Sequence, residues 1–363
     1  MASKTPLVLN QVTARVEELA AADTIPGFMV EGLVGRNIVI NGDFRFWQRG
    51  TGFTATGYGA DRFLNNINGI TCSMTRLALG VGELAGFKYA CRMAFNGGSD
   101  PAHYATLQHR LESLGYYSGK TLTFSGYMRA NTAGVKVAFE CALIAAGGTI
   151  PGGVPSTAIG VTTFTLGTSW QKFTATFTVP SLVGATLNDN SALSFNIWLS
   201  AGSNHNARTN NLGFQSAVVD FVGLQLEDGG TATGFEYRPD ALEQALCQRY
   251  YEKSLDVETA PAGNLPSGYT VGTAIAAGTC RSTAQTFKVA KRSNPAITLY
   301  TNSAVAAGIG FWGLFNGSSW SRGAASALEV NTAQFHVNLN FGSGLTTFFS
   351  YLLGGHWTAD AEL

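Results

Sequence analysis

The sequence predicts a mainly β protein: an antiparallel β-sandwich of jelly-roll type, a second small β domain, a short N-terminal helical or anchoring segment and one linking helix. Three observations predict it. Apolar and polar residues alternate one by one over many short stretches, the pattern of strands with one buried face. Gly, Asn and Ser separate those stretches, and 44 glycines in 363 residues suit short strands joined by tight turns. Charged residues make up only 13% of the chain, about half the ordinary share, as in chains that bury much of themselves in an oligomer.

The length exceeds one ordinary domain, and the pattern divides it into 1–36, 37–240, 241–254 and 255–363. In the first segment Leu9, Val12, Val16 and Leu19 recur by three and four, a short heptad. Two heptads are too few to stand alone, so this helix is expected to dock on sister subunits, on a larger assembly or on its own body. From residue 37 the period becomes two. Residues 37–48 start as a strand and turn at Asn41-Gly42. Over 121–129, Leu122, Phe124 and Met128 share one face. Val137, Phe139, Cys141 and Leu143 alternate as cleanly, as do Phe173, Ala175, Phe177 and Val179, and then Leu193, Phe195, Ile197 and Leu199.

The run 218–226 reads as the last strand of the sandwich. Glu227-Asp228-Gly229-Gly230 breaks it, and 231–239 reads as an extended crossing. Asp240 after Pro239 is a candidate N-cap, with Glu243 three residues on completing a capping box. Leu242, Ala245, Leu246, Arg249 and Tyr250 then recur at helical spacing. Beyond a Pro/Gly-rich stretch at 255–268, residues 272–281, 284–291 and 296–301 read as strands, with further aromatic-rich pieces at 308–315, 334–341 and 346–353.

Composition excludes some functions. With 23 basic and 23 acidic residues there is no electrostatic footprint for nucleic acid or an anionic membrane. The start lacks a signal-peptide pattern, and no run approaches ~18 apolar residues, so a chain made in a cytoplasm and not inserted in a membrane is expected. Cys72, Cys91, Cys141, Cys247 and Cys280 have no zinc spacing and read as buried thiols. None of the histidines sits in HExxH or beside a GxSxG-type serine, the glycine pairs Gly147-Gly148 and Gly152-Gly153 read as turns rather than a GxGxxG between strand and helix, and no carboxylate pair suggests a glycosidase couple. His103 and His109 share a strand parity but have no third ligand nearby.

What remains is binding by surface aromatics. Tyr127 and Trp198 fall on otherwise polar strand faces, where an aromatic serves as a flat platform for a sugar ring. Tyr104, Gln108 and Arg110 share a polar parity and would line the same groove. The alternative is that these aromatics pack under a loop or against a neighbouring subunit. Asp43 on the first strand and Asp220 on the last would, if they met at the sandwich edge, hold a structural calcium ion with backbone carbonyls; otherwise they serve a turn and a strand end. No other cofactor is indicated.

Residues 37–50 with Tyr58-Gly59-Ala60-Asp61-Arg62-Phe63 resemble the NGDF…WQRG…YxADRW opening of bacteriophage and prophage tail-fibre-type proteins. Phe63 stands in place of the tryptophan, keeping the aromatic. The passage 226–254 resembles the end of their carbohydrate-binding-module-like jelly roll, and HWTADAEL (356–363) the close of the small β domain after it. The resemblance implies a virion structural protein, a fibre, spike or appendage on tail, neck or head. It would be displayed on the particle as a homotrimer, with 1–36 contacting other virion proteins and the β body contacting a host-surface glycan. It implies no catalytic residues. A structural collar or head-decoration protein and a polysaccharide depolymerase are the rival readings.

Overall fold

The computed structural model describes residues 7–10, 15–18, 35–266 and 268–363, the first two segments by backbone alone. Leu7–Asn10 and Arg15–Glu18 pair as antiparallel strands in which Leu9 lies opposite Val16. The expected heptad helix is therefore corrected at these residues. Four positions at mixed spacing do not separate helix from hairpin, and so short a helix is marginal in water. Val12 and Leu19 lie outside the described residues, as does most of the expected attachment segment.

The alternating stretches form two six-stranded sheets. One runs, edge to edge, Ile159–Thr165, Lys136–Ile144, Ala192–Ala201, Tyr104–Leu111, Phe63–Asn68 and Gly57–Tyr58. The other runs Gln171–Thr178, Thr121–Ala130, Ala217–Asp228, Tyr89–Phe95, Cys72–Ala78 and Gly52–Phe53. The inward residues meet between them in one core. Phe124 of the second sheet stacks on Phe139 of the first at 4.6 Å, and Phe195 and Phe177 each lie 5.5 Å from one of that pair. Such pairs contribute about 1 kcal/mol each beyond their area. The β-sandwich expected from the alternation is the observed fold.

Residues 37–48 are not a strand. Asn41 and Phe44 have φ of 60° and 55°, so the chain coils at the sandwich end, joined to the last strand by Ile38 N to Leu226 O and Leu224 N to Gly42 O. A Cβ on Gly42 would meet the Leu224 carbonyl oxygen at 2.0 Å, so only glycine allows this approach. The helix spans Asp240–Gln248, with Pro239 rather than Asp240 at the cap position and no side-chain cap. Glu243 closes no capping box. It accepts instead from the Asn41 backbone N–H and from Arg238 at 3.0 Å.

The second β unit is a closed barrel. Ser350–Asp360 pairs with Tyr269–Ala276, and the ring continues through Thr279–Ser282, Gln334–Asn340, Trp320–Leu328 and Phe311–Phe315 back to Ser350–Asp360. The far half of Ser350–Asp360 is flanked by Tyr251–Lys253 and Ala296–Thr301. The single strand expected at 272–281 is two strands with a turn between them. Only Gln285–Thr286 of the expected 284–291 strand forms. Trp320–Leu328, whose small residues give weak alternation, was not anticipated.

Sandwich and barrel are joined through buried polar groups. Arg62, 1% exposed, donates to Glu362 and to the Arg110 carbonyl and lies 3.4 Å from the centre of the Tyr250 ring. Arg49 reaches Asp360 at 3.0 Å and Glu362 at 3.3 Å, beside the Tyr251 ring. Gln48 donates to Asp61 at 2.7 Å and to the Tyr251 carbonyl at 3.0 Å. Lys253 donates to the carbonyls of Gln48 and Val257, and Tyr58 to that of Leu363. Burial pushes Asp61 up to about 6 and Lys253 down to about 8. The NGDF…WQRG…YGADRF, LCQRYYEK and TADAEL stretches thus meet in one place.

Candidate carbohydrate-binding face

On the outer face of the first sheet, strand register places three rows of side chains. Glu140, Asn196 and Gln108 lie opposite one another across three strands. Ala138, Trp198, Thr106 and Asn66 form the row on one side, Ala142, Ser194 and Arg110 the row on the other. Period-two alternation requires this, because their odd-numbered or even-numbered neighbours fill the core.

One hydrogen-bonded chain crosses the face. Arg208 donates to both oxygens of Glu140 at 2.7 and 2.9 Å, and Trp198 Nε1 and Asn196 Nδ2 reach the same carboxylate at 2.9 and 3.2 Å. The Ala158 N–H adds a bond at 2.8 Å. Gln108 Nε2 donates to Asn196 Oδ1 at 2.6 Å, Arg110 Nε to Gln108 Oε1 at 3.1 Å, and Arg110 to the Leu363 carbonyl at 2.6 Å. Glu140 is fully buried. Its charge is matched by one guanidinium in bidentate geometry, so it positions its neighbours and offers no free oxygen for acid–base work.

Trp198 is not an open platform. It is 2% exposed, lies beneath Arg208 at 4.8 Å and packs with His205 and Tyr104 at 5.1 and 5.6 Å. The covering segment contains Ser203–His205 and the short helix Asn206–Thr209, so the packing-under-a-loop alternative holds for this residue. Tyr104 and His205, 5.1 Å apart and edge-on, are half-buried at the rim with Asn66, which receives the Tyr104 hydroxyl at 3.2 Å. The face open to a ligand is therefore Tyr104, His205, Asn66 and the half-buried Arg110 and Arg208.

Tyr127 does not join it. It lies on the outer face of the other sheet, 5.8 Å from the Phe87 ring, which in turn packs on Phe235. Nearby, Asp220 accepts from Arg92 at 2.8 and 3.0 Å and from Arg129 at 2.8 Å, and Arg129 lies over Trp170 at 4.5 Å. Asp220 is thereby saturated by guanidinium groups. Asp43 faces Arg45 at 2.5 Å instead, and burial pushes its pKa up to about 6. The two carboxylates sit in separate ion-pair networks and do not form the expected calcium site. No group of three or more His, Cys, Asp or Glu suited to a metal ion occurs among the described residues.

The histidine pair also separates. His109 stacks on Phe195 inside the core and is held neutral by burial, while His103 lies in the loop before its strand. Sequence reading missed Glu140, Asn196 and Arg208. Parity marks the first two, since each sits among the outward positions of a strand whose alternate residues are apolar. Nothing local marks Arg208, which arrives from a loop.

No protein-family model matches the chain, and no curated protein matches it. Among solved structures it is similar to a putative sugar-binding protein from Bacteroides thetaiotaomicron at 12% identity and TM-score 0.33, covering 53% of this chain and 100% of that one. A family 11 carbohydrate-binding module from Clostridium thermocellum, in complex with a mixed-linked tetrasaccharide, matches at 10% identity and TM-score 0.30, over 51% and 99%. A tailspike protein 4 domain from bacteriophage CBA120 matches at 9% identity and TM-score 0.31, over 53% and 21%.

Proposed function

We propose that this chain is a non-catalytic appendage protein of a bacteriophage particle, a fibre or spike whose sandwich binds host-surface polysaccharide. It would be displayed on the virion as a homotrimer, with its first ~36 residues toward other virion proteins. The observation that carries this reading is the junction. The three stretches that resemble tail-fibre-type proteins, far apart in sequence, contribute Gln48, Arg49, Asp61, Arg62, Tyr250, Tyr251, Asp360 and Glu362 to one buried network. A resemblance carried by residues that fold against each other is one unit, not three coincidences. The bound carboxylate of Glu140 supports a binding role over an acid–base one, and Tyr104, His205 and Asn66 offer the edge and donors a sugar ring uses. Weak sites on three subunits would add through avidity.

The test is retention of the full-length protein on host cells, together with titration calorimetry against purified host polysaccharide. The Tyr104→Ala, Asn66→Ala variant is expected to bind at least about tenfold more weakly, and circular dichroism checks that it stays folded despite the packing Tyr104 loses against Trp198 and His205. Failure of the full-length protein to bind either cells or polysaccharide would remove the reading. Release of reducing ends would replace it with a depolymerase.

A further inference from the structure

The barrel carries an apolar face that nothing among the described residues covers. Tyr269, Val271 and Ile275 point outward from one strand, Leu352 lies opposite Val271 on the next, and Phe348 and Phe349 form the turn before it. Phe348 is 84% and Phe349 63% exposed, and the backbone N–H of Phe348 bonds the Ala274 carbonyl, so the patch is continuous. With ordinary side-chain areas, the six offer on the order of 700 Å². That exceeds the ~300–600 Å² of a typical monomer's largest patch and nears the ~800 Å² one partner contributes to a standard interface.

The segments that build this face are also free of charge. No Asp, Glu, Lys or Arg occurs between Glu258 and Arg281, between Arg292 and Arg322, or between Glu329 and Asp360. An ion pair borders the face, Arg281 opposite Thr273 on the next strand meeting Glu329 at 3.2 Å, and it adds no net charge. Two copies of a face with no net charge meet without unbalanced like-charge repulsion, as apolar homo-oligomer interfaces do. The strands here are paired on both sides, so the contact is face to face rather than by adding a strand.

We propose that this barrel face is covered by a second copy of the chain, and that self-association runs through it independently of residues 1–36. The inference rests on the homotrimer proposed above and locates one of its contacts; the face variants read that contact by mass, while polysaccharide binding reads the glycan site separately.

Sedimentation equilibrium of the full chain at micromolar concentration should give two or three times 38.3 kDa. Val271→Asp with Leu352→Asp places charge on outward positions of both strands, and its dissociation constant should rise by roughly 100-fold or more. Phe348→Ser with Phe349→Ser, in the turn, should do the same, so a folding failure in one variant leaves the other to decide. Circular dichroism melts identify which variants are folded. A wild-type monomer at about 100 µM overturns the proposal, being far above the dissociation constant of a stable interface. So does a folded variant of unchanged mass, which would place association elsewhere in the chain.

Discussion

Replacing Glu362 by alanine should uncouple the two halves of the molecule. Its carboxylate, 5% exposed, receives both Arg62 and Arg49. The two guanidiniums do not lose equally. Arg49 keeps Asp360 at 3.0 Å and Asp61 at 3.9 Å, whereas Arg62 keeps only a carbonyl and the face of Tyr250. The cost therefore falls on Arg62, left as a buried charge without a counter-ion, at about 3–5 kcal/mol. Replacing Arg62 and Glu362 together by methionine removes the stranded charge and should restore most of that loss. Differential scanning calorimetry reads the outcome: one cooperative transition in the wild type, a separate lower one for the barrel in Glu362→Ala, and recovery in the double variant. A single-variant loss below ~1 kcal/mol, or a double variant no better than the single, would refute the account of the junction.

Two further outcomes follow from groups already described. Glu140→Ala strands Trp198 Nε1, Asn196 Nδ2 and the Arg208 guanidinium, so a loss of about 3 kcal/mol is expected in urea titrations. Faster amide exchange over Ser203–Thr209 should accompany it, while unchanged exchange there would show that Arg208 does not tether the loop. Burial lifts the Cys141 thiol well above its ordinary value near 9, so its contribution to stability is complete below pH 9 and lost as pH rises toward the folded value. Cys141→Ala should accordingly lose about 1.4 kcal/mol less than the wild type between pH 8 and pH 10. Lys253, held down at about 8, works in the opposite direction in both proteins and cancels in that comparison.

Alternation read the sandwich core well because strand parity is a local property. Phe124, Phe139, Phe177 and Phe195 are all where the period of two puts them. Parity also put Trp198, Gln108 and Arg110 on one outer face. It says nothing about which sheet a strand joins, and so Tyr127 was grouped with residues on the opposite side of the molecule. Nor does it say what lies above a face. The segment carrying Arg208 over Trp198 is set by tertiary packing that no spacing encodes. At 37–48 the apolar spacing suggested a strand, but the left-handed turns at Asn41 and Phe44 and the contact of Gly42 with Leu224 override it. The barrel was legible as strands and illegible as a ring, because closure depends on Ser350–Asp360 pairing with Phe311–Phe315 and with Tyr269–Ala276, both far earlier in the chain.

That closure has a kinetic side. Tyr251–Lys253 waits for Thr358–Asp360 as its partner, and Phe311–Phe315 and Tyr269–Ala276 both wait for Ser350–Gly354. Contacts this far apart in sequence form slowly. Until the strand from Ser350 onward arrives, the edges of those strands, and of Ala296–Thr301, stand open to any neighbouring chain. A chain cut short before that strand would leave those edges, and the buried Arg62 of the sandwich, without their partners. The strand from Ser350 onward, late in this order of synthesis, is thus the one on which both the ring and the buried junction depend.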